Sequence, residues 1–271
     1  MTPPTSAADT HDAPRREARE GERDRPELVL QRPLGVGRTS RVWRGRLTDR
    51  WDTAASGTSV AVKVLRQDLV QDDDALATLR NEAEVSRAVH HPGLARTRYD
   101  ELDGITPPLA DDADREALGD AARDASAKRP WLLLDLVPGP SLDEARRTET
   151  AMPEPVVRAI GARLARAIGA MHAAGWVHGD VKPENIRLDA EGRAVLVDLG
   201  FAGRAGAPNA PLGTPTYLAP ERARGGPPAA SADLFALGCV LYEIVVGAPA
   251  AGEGTAYDFR TAKRVGEHLE D

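Results

Sequence analysis

The spacing of hydrophobic residues changes after about residue 100, and this change limits the folds open to the chain. Before that point come three short segments rich in Val and Leu: ELVLQRPLGVG from residue 27, SRVWRGRL from 40 and SVAVKVLR from 59. Such segments, closed by glycine or polar residues, are typical of antiparallel strands. Beyond it, helical periodicity prevails. The pattern predicts an α+β fold in which a strand-rich lobe and a helical lobe enclose a cleft.

Helix boundaries can be read at several points. Acidic residues and a His-His-Pro-Gly stop predict a helix from about Asp73 to Val89, and Ser141 is the predicted N-cap of another. A third helix is expected between Pro153 and Gly175, and a fourth from Ser231, its cap, to Val246. The third has one apolar face, which contains Val156, Ile160, Leu164, Ile168 and Met171.

Composition excludes several classes of protein. The net charge is −7, which argues against a general nucleic-acid binder. One cysteine, Cys239, lies in an apolar run, so we expect it in the core rather than in a disulfide or metal site. The six histidines have no ligand spacing, and no structural zinc is expected. No apolar run reaches the roughly 18 residues of a membrane span. Without an apolar leader at the N-terminus, the expected location is the cytoplasm.

Two segments lack the composition of a packed core. Residues 1–26 are rich in Pro, Arg and acids and contain no aromatic residue. They cannot bury enough apolar surface to become ordered, so we expect a disordered arm. Residues 104–128 are acidic and Ala-rich without a clear apolar face, which predicts a surface insertion.

A glycine pair and a lysine suggest a phosphate site in the strand-rich lobe. Gly35 and Gly37 lie between two predicted strands, where backbone amides can approach phosphate oxygens, although Ser40 replaces a third glycine. Lys63 lies in the middle of VAVKV, and an unpaired ammonium there would be costly. It requires a phosphate or a carboxylate. The following helix offers Glu82, with Glu84 as the competing candidate on another face.

The segment HGDVKPEN, residues 178–185, combines groups suited to phosphoryl transfer. Asp180 could accept a proton from an attacking hydroxyl, and Lys182 could neutralise the oxygen under attack. Asn185 could offer a carbonyl oxygen to a hard cation. Asp198 ends the apolar strand AVLVD and could provide the second bond to that cation, since Mg²⁺ takes one or two protein oxygens together with substrate phosphates.

These motifs occur together in one known family. HGDVKPEN, DLG, GTPTYLAPE and DLFALG, with LGVGRTSRV and VAVKV, cover about residues 28–247 in an order similar to that of eukaryotic-type serine/threonine protein kinases. The resemblance implies a bilobal fold with a small antiparallel sheet plus helix C and a mainly helical second lobe. It divides a kinase domain, residues 27–271, into a small lobe at 27–134, a hinge at 135–138 and a helical lobe at 139–271.

The resemblance also implies chemistry and site residues. The reaction would be transfer of the ATP γ-phosphate to a Ser or Thr hydroxyl of a protein, with Mg²⁺, or Mn²⁺ in its place. Asp180 would be the base, Lys182 would contact the γ-phosphate, Lys63 would pair with Glu82, and Asn185 and Asp198 would hold the metal. The implied ATP-binding positions are Leu34, Gly35, Val36, Gly37, Val42, Ala61, Lys63, Asp135 and Val137, with Leu134 as gatekeeper. In the activation segment and below it, the implied residues are Thr214, Glu221 and Asp233.

Two departures from the family pattern bear on regulation. Gly179 replaces an arginine that in many kinases binds a phosphorylated residue of the activation segment. Residues 201–213 of that segment contain no Ser, Thr or Tyr. We therefore expect control without phosphorylation of this loop. Leu199 replaces the usual Phe of the DFG motif, an apolar exchange.

The chain ends soon after the helix that reaches Val246, where kinases continue through further helices, so the helical lobe is expected to be truncated. A partner or dimer surface would compensate, because Glu221 would otherwise lack its usual arginine. Two alternatives to a protein kinase stay open. HGD followed by Asn and Asp is also typical of aminoglycoside-type phosphotransferases, although Lys182 and GTPTYLAPE oppose that interpretation. A pseudokinase acting as a binding module is the other.

Overall fold

The computed structural model describes residues 28–47, 58–102, 129–148, 152–208 and 213–249. The predicted disordered arm, the predicted insertion at 104–128 and the end of the chain lie outside these residues. The predicted domain borders and the expected partner surface therefore stay predictions.

An antiparallel sheet forms the first lobe, as predicted. Its strands are β1 (Leu28–Val36), β2 (Ser40–Leu47), β3 (Ser59–Leu65), β4 (Thr97–Glu101) and β5 (Trp131–Asp135), in the spatial order β1-β2-β3-β5-β4. Lys63 is paired with Val42 on one side and Leu132 on the other. Because side chains alternate along a strand, Val60, Val62 and Val64 pack in one apolar cluster while Ala61 and Leu65 pack in another.

Helix α1 (Asp73–Ala88) lies beside the sheet and ends one residue before its predicted boundary. The carboxylate of Asp72 caps its N-terminus by accepting from the amide of Ala75 at 2.9 Å. The helix buries Leu79 and Ala83 against the apolar cluster of Ala61 and Leu65. Glu82 is buried on the same side, which an isolated glutamate would not favour.

The second lobe is mainly helical, as expected. Its helices are α2 (Leu142–Thr148), α3 (Glu154–Ala173), α4 (Pro220–Ala223) and α5 (Ala230–Val246). The predicted cap at Ser141 is confirmed, because its hydroxyl accepts from the amide of Glu144, whose carboxylate accepts from the amide of Ser141. The predicted cap at Ser231 is wrong. Ala229, in extended conformation, holds the cap position of α5, and the Ser231 hydroxyl donates to Glu221 at 3.2 Å instead.

Four short strands lie in the chain between α3 and α4. They form two pairs, β6 (Trp176–Val177) with β9 (Gly203–Arg204) and β7 (Ile186–Leu188) with β8 (Ala194–Leu196). Leu199 is 1% exposed in the core of the helical lobe, where Cys239 is also buried. Within the described ranges, no helix is long and apolar enough to cross a membrane.

A buried hydrogen bond joins the activation segment to α5. The hydroxyl of Tyr217 donates to Oε2 of Glu243 at 2.7 Å, and Glu243 is also 3.2 Å from the guanidinium of Arg146 on α2. Burial raises the pKa of the Tyr217 phenol, so the hydroxyl keeps its proton for this bond.

Tyr217→Phe is expected to lower the free energy of unfolding by about 1–3 kcal/mol, because the buried Glu243 carboxylate loses a donor. Chemical denaturation measures this difference. Tyr242→Phe is the matched control, since no hydrogen bond joins its hydroxyl to the described part of the chain; it should stay within about 0.5 kcal/mol of the parent. Equal losses in the two variants would contradict the prediction.

Candidate active site

A cleft of about 540 Å³ lies between the sheet and the helical lobe. This volume suits a small ligand of nucleotide size. One end of the cleft is apolar and adjoins β5, and the other end contains charged residues of the segments after β6 and β8. A ligand with an apolar ring and an anionic tail would match both ends.

The apolar end contains the apolar side chains that the family resemblance assigned to ATP binding, apart from Val36. Val42, Ala61, Leu134 and Val137 line it, together with Leu34 at the mouth. Leu134, the predicted gatekeeper, lines the cleft and is 7% exposed. The amide of Asp135 donates to the carbonyl of Arg96 at 2.9 Å, so this amide is already paired within the protein.

The glycine-rich turn covers the cleft, with one difference from the prediction. Gly35 and Gly37 both line the cleft, and the amide of Gly37 donates to the carbonyl of Ser40 at 2.7 Å to close the turn. Val36 is not among the lining residues, and its side chain is 62% exposed. Its position between two lining glycines on a pleated strand points it away from the cleft.

Lys63 is paired with two carboxylates. Its Nζ lies 2.6 Å from Oε2 of Glu82 and 2.7 Å from Oδ1 of Asp198. Burial acts to lower the pKa of Lys63, but the two carboxylates outweigh it and hold that pKa above the usual value. Burial raises the pKa of Glu82, whereas the Lys63 ammonium holds the pKa of Asp198 below its usual range. Lys63 and Asp198 are therefore charged at neutral pH.

Glu82, and not Glu84, is the partner of Lys63. Both residues lie on α1, but Glu82 is 1% exposed and faces the sheet. The side chain of Glu84 is 59% exposed and lies 3.6 Å from the guanidinium of Arg204. The sequence left open which of the two glutamates pairs with Lys63. The structure selects Glu82, because it lies on the face of α1 that is directed to the sheet.

Asp180 lies at the charged end of the cleft, and both of its carboxylate oxygens accept hydrogen bonds. Oδ1 accepts from the amide and the hydroxyl of Thr214, each at 2.8 Å. Oδ2 accepts from the side-chain amide of Asn185 at 3.0 Å and lies 2.9 Å from Nζ of Lys182. Lys182 also donates to the Thr214 hydroxyl at 2.7 Å. The four side chains thus fix one another, with a carboxylate in the centre that can accept a proton.

Asn185 and Asp198 have the chemistry of Mg²⁺ ligands. The side-chain nitrogen of Asn185 donates to both the carbonyl and the carboxylate of Asp180, which leaves its oxygen as the atom for a cation. Asp198 adopts a left-handed backbone (φ 63°), which a short polar residue tolerates. Among the described residues there is no group of three or more His, Cys, Asp or Glu side chains around one point. Two protein oxygens completed by phosphates and water would suit Mg²⁺.

Asp233 anchors the start of the HGDVKPEN segment, residues 178–185. Its carboxylate accepts from the amides of His178 and Gly179 at 2.8 and 2.9 Å, and it is 1% exposed. Sequence reasoning anticipated Asp233 but missed His172, whose Nε2 lies 2.8 Å from the same carboxylate. No motif contains His172. Its only sequence signal is a polar residue beside Met171, near the end of an apolar helix.

Glu221 differs from its expected setting. It is exposed rather than buried, and it accepts the hydrogen bond from the Ser231 hydroxyl. Water therefore solvates the Glu221 carboxylate, and the expected free-energy cost of an unpaired buried carboxylate does not arise.

Gly179 adopts a conformation that other residues avoid. Its φ is +78°, and a Cβ atom there would lie 3.0 Å from the carbonyl oxygen of Phe201. Gly179→Ala is expected to lower the free energy of unfolding by about 1–2 kcal/mol, the cost of a left-handed residue with a side chain. Chemical denaturation of the variant and the parent measures this difference in the free energy of unfolding.

Gly169→Ala is the matched control for this substitution. Gly169 lies inside α3, and its added Cβ would have no neighbour within 4 Å. Alanine should raise stability there by about 0.5–1 kcal/mol. If both substitutions shifted stability in the same direction, the steric argument for Gly179 would be wrong.

Comparison with known proteins gives consistent results. The family described as "Protein kinase domain" matches residues 28–265. The chain is 32% identical over 245 residues to serine/threonine-protein kinase PkaA of Streptomyces coelicolor, and 33% identical over 234 residues to PkaB of the same organism. It is 34% identical over 199 residues to PknB of Mycobacterium tuberculosis.

These similarities cover most of this chain but less than half of each relative. They span 86%, 82% and 70% of the chain, against 41% of PkaA, 49% of PkaB and 28% of PknB. The relatives therefore extend well beyond the shared region.

Proposed function

The chain belongs to the protein kinase family, and from this premise we propose that it transfers the γ-phosphate of ATP to a Ser or Thr hydroxyl of a protein. The observation that carries the proposal is the convergence of Lys63, Asp198 and Asp180 on one cleft from separate parts of the chain. The names of the relatives, both serine/threonine-protein kinases, agree with it. A lysine two residues after Asp180 favours Ser or Thr as the acceptor.

In the proposed reaction the chain contributes positioning and charge. Bound ATP would supply the phosphoryl group, with ADP as the leaving group, and Mg²⁺ would neutralise the charge of the phosphate oxygens. Lys63, held by Glu82, presents a fixed positive charge at the charged end of the cleft. Asp180 takes the proton of the acceptor hydroxyl, and Lys182 stabilises the negative charge that develops beside it. Asn185 and Asp198 would hold the metal, and Val42, Ala61 and Leu134 would enclose the adenine ring.

The substrate class can be tested with labelled ATP and two acceptors in parallel, a general protein substrate and an aminoglycoside, together with a measurement of ATP binding. The proposal predicts label on Ser or Thr residues of a general protein substrate, identified by acid hydrolysis. Label on an aminoglycoside alone would indicate the small-molecule phosphotransferase. Binding of ATP with Mg²⁺ without transfer to any acceptor would indicate the pseudokinase, and either result would contradict the proposal.

We also propose that phosphorylation of the activation segment does not control the activity. Gly179 offers no guanidinium to a phosphate, and residues 201–213 offer no hydroxyl. The nearby hydroxyl of Thr214 is bonded to Asp180, and Thr216 is 8% exposed. Phosphatase treatment should leave the rate unchanged. Activity that depended on phosphate at Thr214 or Thr216, located by mass spectrometry, would overturn this proposal.

The cytoplasm is the proposed location, because ATP is the proposed phosphate donor and because the chain holds one cysteine, which is buried. Mn²⁺ is proposed as a substitute for Mg²⁺, since both accept oxygen ligands. Replacing Mg²⁺ by Mn²⁺ in the transfer assay tests the second point.

A further inference from the structure

Helix α1 contacts the start of the activation segment through Asn81. The side-chain nitrogen of Asn81, which precedes Glu82 on the helix, donates to the carbonyl of Gly200 at 3.0 Å and to that of Ala202 at 2.5 Å. These contacts lie immediately after Asp198, the proposed metal ligand.

Helix α1 and the start of the activation segment lie so close together at position 200 that only glycine fits there. A Cβ atom on Gly200 would lie 2.6 Å from Cγ2 of Thr78, which is one turn before Asn81 on α1. The backbone of residues 199–202 therefore packs directly on the helix. The two hydrogens of the Asn81 amide match the two carbonyls, so the donor capacity of this side chain is fully used.

We propose that Asn81 is a positioning residue, which holds the segment after Asp198 on helix α1 and so keeps the Asp198 carboxylate in place for Mg²⁺. The inference rests on the proposed function, because it assigns Mg²⁺ and ATP to the cleft. It goes beyond that function by naming a side chain that fixes this segment without a phosphate. Asn81 is half-buried, and its side chain is not among the residues that line the cleft.

Other groups support the same segment but cannot replace Asn81. Arg204 on β9 stacks over the ring of Trp176 at 3.9 Å and donates to the carbonyl of Ala174 at 3.3 Å. These contacts hold the segment two residues beyond Ala202. The ion pair of Arg204 with Glu84 is exposed on both sides, and such pairs contribute little. Lys63 holds the Asp198 carboxylate directly, at 2.7 Å. Asn81 instead holds the backbone that follows Asp198, at Gly200 and Ala202.

Asn81→Asp tests the proposal with almost no change of shape. A carboxylate cannot donate, and it would face two carbonyl oxygens. Calorimetry would measure ATP affinity with and without Mg²⁺ in the folded full chain. We expect the gain in affinity produced by Mg²⁺ to fall about tenfold, the effect of losing one well-placed hydrogen bond with its buried partners unsatisfied. Affinity without Mg²⁺ should stay unchanged.

Two further variants make the result decisive. Asn81→Ala removes the donors without adding charge, and it should show the same selective loss. Glu84→Gln, three residues along the same helix and directed to solvent, should bind ATP as the parent does in both conditions. If both Asn81 variants keep the full Mg²⁺-dependent gain, or lose affinity equally with and without Mg²⁺, the proposal is overturned.

This readout is independent of phosphate transfer. A parent protein that bound ATP more tightly with Mg²⁺ but transferred no phosphate would contradict the proposed function and leave the role of Asn81 intact. A parent that transferred phosphate, with Asn81 variants indistinguishable from it in binding, would leave the function intact and contradict the role of Asn81.

Discussion

Asp180→Asn is expected to lower the rate of phosphate transfer by about 10²- to 10⁴-fold, the usual contribution of a general base. The amide cannot take the proton of the acceptor hydroxyl. It also places an NH₂ group against donors, because Oδ1 accepts from Thr214 and Oδ2 from Asn185. The rate with labelled ATP and a protein acceptor measures the effect.

Asp189→Asn is the matched control for Asp180→Asn. Asp189 also accepts two hydrogen bonds through one carboxylate oxygen, in its case from the backbone amides of Glu191 and Arg193, but it lies in the turn after β7 and does not line the cleft. It should keep the parent rate. Comparable losses in the two variants would remove the argument for Asp180 as the base.

Lys63→Met is expected to lower the transfer rate by about 10²- to 10³-fold, the effect of removing one preorganised charged group from a reaction site. The substitution also leaves Glu82 buried without its cation. Breaking a buried pair in this way costs about 3–5 kcal/mol of stability. Lower activity could therefore reflect unfolding rather than chemistry, and the two effects must be separated.

The double variant Lys63→Met with Glu82→Gln separates them. The neutral amide at position 82 removes the buried charge, so stability should recover relative to Lys63→Met alone. Activity should not recover, because the cleft still lacks the ammonium. Denaturation and transfer assays on the same preparations measure both quantities. Activity that returned together with stability would show that Lys63 has only a structural role.

The sequence predicted the fold closely where periodic patterns and motifs coincide. The limits of α1 were correct within one residue, and the N-cap at Ser141 was identified from one serine in the right place. Lys63 was placed by its apolar neighbours, since a mid-strand ammonium must find an anion. That argument required a carboxylate, but helix periodicity alone could not choose between Glu82 and Glu84.

The features that sequence missed depend on contacts between distant segments. Asn81 lies 119 residues from Gly200 along the chain, and its partners are backbone carbonyls, which carry no sequence signal. His172 approaches Asp233 only because α3 packs on α5. The cap at Ser231 was misplaced because Ala229 is extended, and a serine two residues later finds Glu221 instead.

Chemical labelling by an ATP analogue tests the convergence of these residues most directly. An acyl phosphate at the end of the triphosphate acylates lysine amines close to it, and the chain has only four lysines: Lys63, Lys128, Lys182 and Lys263. The account predicts label on Lys63 and Lys182, lost in excess ATP with Mg²⁺, and mapped by mass spectrometry. Label on Lys128 and Lys263 in equal measure, or label that excess ATP does not reduce, would contradict it.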